Sequence, residues 1–577
     1  MSWDFYSIFP TKWAMNANHS RIRIKRPPIQ TRKLAVSRGE FISFVSIERS
    51  DPGKGNRKIG LSRYHPYGFV SQLVVRLHWS QIMIKTHFAL SSFFSTSFTF
   101  IFLCAASGQA QKPAQPPAPR AAAPPHSPQE QNNFPPQLIE DLNAIKAAAL
   151  ADDYAYKRLS HLTENIGPRP SGSPQAQAAV EYVAAELRQL GLEVHLEEVT
   201  VPHWLRGAES AELIEYSGHV PGTSQKIVLT ALGGSTATPA EGITADLVVV
   251  NDFDELKSLG RERVSGKIVL FNNVYDQRKA AAGLAFAAYG EAVRYRAAGP
   301  KAAAELGAVA TLVRSVGSAD FRLPHTGFSL PAGIPAAAVT AEDAELMAYL
   351  SVQGKARMHL TLTPQKLSDG TSYNVVADLK GSEHPEQIVV VSGHLDSWDL
   401  GTGAIDDGAG VVIAMETAEL LQMLHLRPKR TIRVIAWMDE ESGGSGSHAY
   451  GKIHADEWPR HIAAIESDSG AAHPLGFNVK LTPQAVEMLR PVQGVLESLG
   501  ANVLQPTSYS PGADIAVMSE AGVPALGVMQ DGRTYFNYHH TAADTLDKVI
   551  PSELRENAAA MAVMGYALAS MKEALPR

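Results

Sequence analysis

The sequence predicts an α/β protein, a three-layer αβα sandwich with an inserted β-rich domain. Three observations carry this expectation. Four near-continuous apolar runs, "EQIVVVSG" (386–393), "TIRVIAWM" (431–438), "HIAAIESD" (461–468) and "PALGVMQD" (524–531), read as strands of a sheet covered on both faces. Between and after them lie long apolar-periodic stretches, "GAGVVIAMETAELLQML", "TPQAVEMLRPVQGVLESLG" and "PSELRENAAAMAVMGYALASMKEAL", which read as the covering helices. Residues 205–370 have a different texture, with short strands such as "KIVLTALGG", "ADLVVVNDF" and "GKIVLFNN" separated by loops and a few helices.

The chain has 577 residues, 45% hydrophobic and 19% charged, which is room for more than one core. Residues 1–82 hold 14 Lys/Arg against four Asp/Glu and are aperiodic, so we take them as an extension lying ahead of a translation start at Met83, the alternative being a basic arm. Residues 83–110, "MIKTHFALSSFFSTSFTFIFLCAASGQA", have Lys85, an apolar stretch and then small residues, the pattern of a signal peptide cleaved near Ala110. The stretch is rich in Ser and Thr and short for a stable membrane span, so the expectation is an exported protein, periplasmic or extracellular. Residues 111–136 are a Pro/Ala/Gln linker. Beyond residue 110 the chain carries 37 Lys/Arg against 54 Asp/Glu, and an acidic body is a poor match for nucleic acid.

Folded sequence is expected from Gln137. Residues 137–204 supply amphipathic helices, one of them "PQAQAAVEYVAAELRQLGL" stopped by Gly191, and then an alternating strand, "EVHLEEVTVP". Together with 371–577 they form the main domain, into which 205–370 are inserted. Within the insertion, "GKIVLFNN" followed by "AAAELGAVATLVRS" resembles the protease-associated domain, a non-catalytic module of secreted peptidases.

The ionisable residues concentrate where the strands end. "SGHLDSWDLGTGAIDDGAG" (392–410) packs one histidine and four aspartates among five glycines. Open α/β sheets place their sites beyond the carboxyl ends of the strands. There lie His394 and Asp396, Asp406 and Asp407, Glu440 and Glu441, Asp468, and His539 and His540. Each cluster alone has an ordinary explanation, and paired aspartates before a helix commonly cap it. Together, so many acids at one sheet end would repel each other without cations, and two dications bridged by one carboxylate satisfy them. The only cysteine is Cys104, so any metal in the body is held by His, Asp and Glu, which suits zinc or manganese.

The order and spacing of these residues resemble the zinc exopeptidases with two co-catalytic metals. The likeness covers nearly everything after the linker, including "IGPRPSGS", "VPHWLRGAES", "LPHTG", "ESDSGA" and "YFNYHHTAADT". It implies that His394 and Asp468 bind one zinc, that Glu441 and His540 bind the other, and that Asp406 bridges them. It leaves Glu440 free as general base for a metal-bridging hydroxide, and has Asp396 hydrogen-bond the imidazole of His394. It also implies a cis Asp406–Asp407 peptide and a homodimer; the insertion, both of whose ends must return to the metal-bearing sheet, is expected to roof the cleft, which makes short peptides, dipeptides above all, the expected substrates. His539 is taken as a neighbour of the ligand, Trp398 and Asp399 have no assigned role, and Asp439 either raises the pKa of Glu440 or turns away from the site. Three rival readings share parts of the pattern: an aminopeptidase of the same family, a glutaminyl-cyclase-like transferase, and a non-catalytic binding protein.

Overall fold

The computed structural model describes residues 133–577, apart from 318 and 320. The expected extension (1–82), the signal peptide (83–110) and most of the linker lie outside the described residues. Packed residues extend slightly ahead of the expected Gln137, since Phe134 is buried and a helix begins at Pro136.

The main sheet has eight strands: β1 (Glu193–Val201), β2 (Gly370–Leu379), β3 (His384–His394), β4 (Arg430–Trp437), β5 (His461–Glu466), β6 (Pro474–Lys480), β7 (Val503–Pro506) and β8 (Ala525–Gln530). Their order across the sheet is β1-β2-β4-β3-β5-β8-β6-β7. The central four, β4, β3, β5 and β8, run parallel, and they are the four apolar runs. Successive side chains of a strand point to opposite faces. Val389 and Val391 accordingly join one core and Val390 the other, so the sheet is covered on both sides.

The longest helices are α1 (Pro136–Ala151), α2 (Pro174–Gln189), α3 (Ala285–Glu305), α4 (Ala409–Met423) and α5 (Pro551–Ser570). Residues of α1, α2, α4 and α5 fill the first core, and Tyr450, from the helix Ser445–Ile453, is in the second. Ser173 starts α2 by accepting the Ala176 N–H at 3.0 Å, with Pro174 in the first turn where no N–H is needed.

The strands Glu209–Glu215 to Arg357–Leu362 build a second eight-stranded sheet, separate from the first. This segment is more helical than its texture suggests, since the alanine-rich run 285–305 forms the single 21-residue helix α3. Ala285, Ala288 and Ala292 of α3 pack in the core of the main domain, while Tyr295 and Ala303 pack in a core of the insertion. One helix therefore belongs to both cores. No described helix is long and apolar enough to cross a membrane.

Candidate metal centre

The acids gather because parallel strands end in register. His394, the last residue of β3, lies opposite Trp437, the last of β4. Glu440 and Glu441 follow β4 by a short turn, and Asp468 follows β5. Asp406 and Asp407 sit just ahead of α4, joined by a cis peptide bond. His539 and His540 come from the loop after β8.

His394 Nε2 is 3.2 Å from Asp406 Oδ1 and 3.5 Å from Asp468 Oδ1. His540 Nε2 is 3.1 Å from Asp406 Oδ2 and 3.0 Å from Glu441 Oε2. Asp406 thus faces a different imidazole with each oxygen, with Asp468 on one side and Glu441 on the other. The five residues of the expected ligand set are thus brought together around Asp406.

The second ring nitrogens fix the tautomers. His394 Nδ1 lies 3.1 Å from the carbonyl of Asp396, and His540 Nδ1 lies 3.3 Å from the carbonyl of Thr326. His540 Nδ1 also lies 3.4 Å from the Arg296 guanidinium; with Nδ1–H donated to the carbonyl in each ring, each Nε2 lone pair would face carboxylate oxygens. Two lone pairs against anionic oxygens repel unless a proton or a cation lies between them. Burial works against charge on both imidazoles, yet the carboxylates outweigh it and hold both pKa values well above the histidine range. Asp406 Oδ2 and Glu441 Oε1 are buried without a hydrogen bond from any described residue. This donor set, two neutral imidazoles and three carboxylates, fits divalent zinc.

The neighbouring acids have other work. Asp407 accepts the N–H of His394 with one oxygen and that of Gly410 with the other, both at 3.0 Å, so it ties the end of β3 to the start of α4. His539 stacks on His540 with ring centroids 3.6 Å apart, and its Nε2 is 3.5 Å from Asp406 Oδ2. His540 alone of the two also reaches Glu441.

Asp396 departs from expectation. Its carboxylate is 3.8 Å from His394 Nδ1, beyond hydrogen-bonding distance, and it is the backbone carbonyl that holds the ring. The carboxylate accepts instead the N–H groups of Asp439, Glu440 and Glu441 at 2.8, 3.0 and 3.3 Å, and the Ser171 hydroxyl at 3.1 Å. Three converging amides bind a carboxylate better than one imidazole does, and the consequence is a rigid Glu440–Glu441 turn. Asp439 turns to the backbone and hydroxyl of Ser445, and burial followed by repulsion from Asp396 pushes it up to about 7.

The side chain of Glu440 makes no hydrogen bond with any described residue. Burial comes first among the causes that raise its pKa well above the carboxylate range. The charges of Asp468, Glu441 and Asp396 add to it and outweigh the pull of His394.

Several participants carried no assigned role in the sequence. Arg169, fully buried, donates to the carbonyls of Leu395, Gly167, Thr402 and Gly403 and so frames the loop around the centre. Asp544 accepts the N–H groups of Ala404 and Ile405, both at 2.8 Å. Asp399 forms a two-pronged ion pair with Arg206, 2.5 and 2.8 Å, and Trp398 packs edge-on to His540. All lie inside the motifs quoted above, which was the only signal for them.

An α/β sandwich that gathers three carboxylates and two imidazoles at its strand ends, with a further carboxylate unengaged beside them, is the scaffold of a metallohydrolase. Residues 374–564 match peptidase family M28. Carboxypeptidase Q from Homo sapiens is 40% identical over 434 residues, spanning 74% of this chain and 88% of the relative. Aminopeptidase YwaD from Bacillus subtilis (strain 168) is 28% identical over 319 residues, 54% of this chain and 60% of its own. The crystal structure of a peptidase M28 precursor from Shewanella amazonensis SB2B superposes with a TM-score of 0.72 at 36% identity, covering 76% of this chain and 98% of that one. The chain belongs to peptidase family M28 and is a metallo-exopeptidase.

Proposed function

We propose that this chain is a two-zinc exopeptidase acting on short peptides, dipeptides above all, with carboxypeptidase Q-like activity. The observation that carries the reading is the division of ligand atoms about Asp406, with Glu440 left free beside them. His394 and Asp468 would hold one zinc, Glu441 and His540 the other, and Asp406 would bridge. Bound zinc supplies Lewis acidity and brings the pKa of water toward neutrality. Glu440, buried beside the ligand set, takes the proton of the attacking water and passes it to the leaving amine. The turn pinned on Asp396 keeps Glu440 pointed while this happens.

The preference for short substrates follows from the insertion. Residues 205–370, read as a protease-associated-like domain within the catalytic domain 137–204 and 371–577, stand beside the centre. The Arg206–Asp399 pair and the Thr326 contact to His540 bring this segment against the loops that carry the ligands. Such a wall admits a chain end and aligns its scissile bond. Export through residues 83–110 and a homodimer, the latter by family likeness, complete the reading. N-terminal sequencing of secreted protein should begin near Gln111, and sedimentation should give twice the chain mass.

The decisive experiment is cleavage of free, N-blocked and C-blocked dipeptides by zinc-loaded enzyme, alongside casein. Free dipeptides should be cleaved best, with about two zinc ions per chain by elemental analysis. Loss of activity on C-blocked but not N-blocked peptides assigns a carboxypeptidase, and the converse an aminopeptidase. Efficient internal cleavage of casein, or full activity without metal, would refute the proposal.

A further inference from the structure

A cavity of about 270 Å³ opens beside Glu441. Three segments wall it: the proline-rich turn 168–175, the loop 396–399, and the hinge 202–206 where the chain enters the insertion. Since one wall ends at Glu441, an occupant would sit next to the metal centre.

Most of the charged groups in these walls are already engaged; the exceptions are Glu441 Oε1, which belongs to the proposed ligand set, and the His203 ring, which packs against Gly172. Arg206 donates to Asp399, Glu209, Thr230 Oγ1, the carbonyl of Ala231 and Thr326 Oγ1, which uses its fork in full. Asp399 is the partner of that arginine, and Asp396 is held by three amides and a hydroxyl. Glu441 faces His540. With Glu441 committed to the metal centre, an incoming charged side chain would find no free carboxylate or guanidinium in these walls and would lose water.

The remaining surface is flat and apolar. Pro168, Pro170, Pro174 and Pro202 line it, with Trp204 and Trp398. Trp204 is fixed by donating Nε1–H to the carbonyl of Ser235 at 3.1 Å and by the Arg206 guanidinium over its ring at 5.2 Å. Trp398 is fixed by close approach to Gly233, where a Cβ would lie 2.1 Å from its ring. Pre-formed aromatic walls with a few polar groups, here including the Trp398 Nε1–H, which has no acceptor among the described residues, are how proteins bind apolar groups and fix their orientation.

We propose that this cleft receives a large apolar side chain, aromatic before aliphatic, from a residue flanking the scissile bond. The assignment rests on the peptidase reading for the identity of its occupant. It makes dipeptides with a phenylalanine or tryptophan preferred over those with a glutamate or lysine at the same position.

The test reads binding, so that it stands apart from catalysis. Zinc-loaded Glu440→Gln protein is titrated calorimetrically with Ala-Ala, Ala-Phe, Phe-Ala, Ala-Glu, Glu-Ala, Ala-Lys and Lys-Ala. In one of the two positional series phenylalanine should tighten binding about tenfold or more over Ala-Ala, while glutamate and lysine gain nothing. Trp204→Ala in the same background should reduce the phenylalanine advantage to about twofold. Gln175→Trp, which fills the mouth from an exposed position at the start of α2, should do the same, and serves if Trp204→Ala does not fold. Equal affinities throughout, no binding by any peptide, or an advantage that survives both substitutions would overturn the assignment. A protein that binds the phenylalanine dipeptide selectively, but whose unsubstituted form cleaves no peptide, refutes the hydrolytic reading and leaves the cleft standing.

Discussion

Glu440 and Glu441 are adjacent in sequence and do opposite things. Glu441 Oε2 reaches His540 at 3.0 Å, while the Glu440 side chain has no hydrogen-bond partner among the described residues and carries a pKa raised first by burial. Adjacent residues on an extended turn face apart, and Asp396 holds both amides so that the two carboxylates cannot exchange places. Glu440→Gln should therefore keep its bound metal and lower kcat roughly a hundredfold or more. Glu441→Gln should lose zinc, and with it activity that excess zinc partly restores. Metal content by elemental analysis beside kcat separates the two, and equal metal loss in both variants would show that the roles are wrongly divided. The identity of these residues was legible in the sequence, because acids at strand ends need partners. The part played by the Asp396 carboxylate was not, because its hydrogen-bond partners are three backbone amides, and amides leave no mark in a sequence.

At the scale of elements, the loop 396–403 is clamped from the insertion. Arg206, at the entry to the insertion, grips Asp399, and Gly233 makes room for the ring of Trp398. Asp399→Asn leaves a largely buried guanidinium without its main carboxylate. It should cost about 1–3 kcal/mol in urea denaturation and loosen the loop next to the centre. An unchanged midpoint would mean that Glu209 alone suffices for Arg206. Strands β3, β4, β5 and β8 were readable as unbroken apolar runs, since both faces are covered. Strands β6 and β7 were not: "PLGFNVK" carries proline and glycine, and "VLQP" is four residues long. The run 482–500 looked like one helix but breaks into Pro483–Met488 and Arg490–Leu496. Pro491 lacks an N–H and restricts the residue before it, so the ladder ends there despite the apolar period.

For the whole molecule, a buried polar chain crosses the second core away from the metal centre. Asp378 pairs with Arg433 at 2.7 and 2.9 Å, Arg433 donates to the Tyr450 hydroxyl at 2.9 Å, and that hydroxyl lies 2.8 Å from His461 Nε2. His461 Nδ1 is 3.0 Å from the carbonyl of Glu457, so Nδ1 carries the proton and Nε2 accepts. Burial, ahead of the nearby Arg433 charge, pushes the pKa of His461 down to about 4. A histidine whose folded pKa is depressed stabilises the fold above its unfolded value of about 6.5, and that contribution is lost as pH falls toward 4. The loss should amount to about 3 kcal/mol between pH 7.5 and 4, read as a falling urea midpoint. His461→Gln, which does not titrate, should flatten that segment of the profile, and an unaltered slope would place the acid sensitivity elsewhere.

Composition, apolar periodicity and the placing of acids at strand ends were sufficient, from the sequence alone, for the sandwich, the existence of an insertion and the clustering of acids and imidazoles at one sheet end, while the proposed ligand set His394, Asp406, Glu441, Asp468 and His540 came from the family resemblance. These are local properties: a strand buried on both faces must be apolar throughout, and a cluster of buried carboxylates must have a cation. Tertiary structure alone decided which atom of Asp396 meets His394, that the carbonyl of Thr326 meets Nδ1 of His540, and that α3 belongs to two cores. It also decided that the Trp204 hinge and the Trp398 loop face each other across one cleft. The partners in these contacts are in most cases more than a hundred residues apart or are backbone groups common to every residue. A sequence pattern records which side chains need burial or charge compensation, and folding decides which of the many equivalent amides, carbonyls and ring faces supplies it.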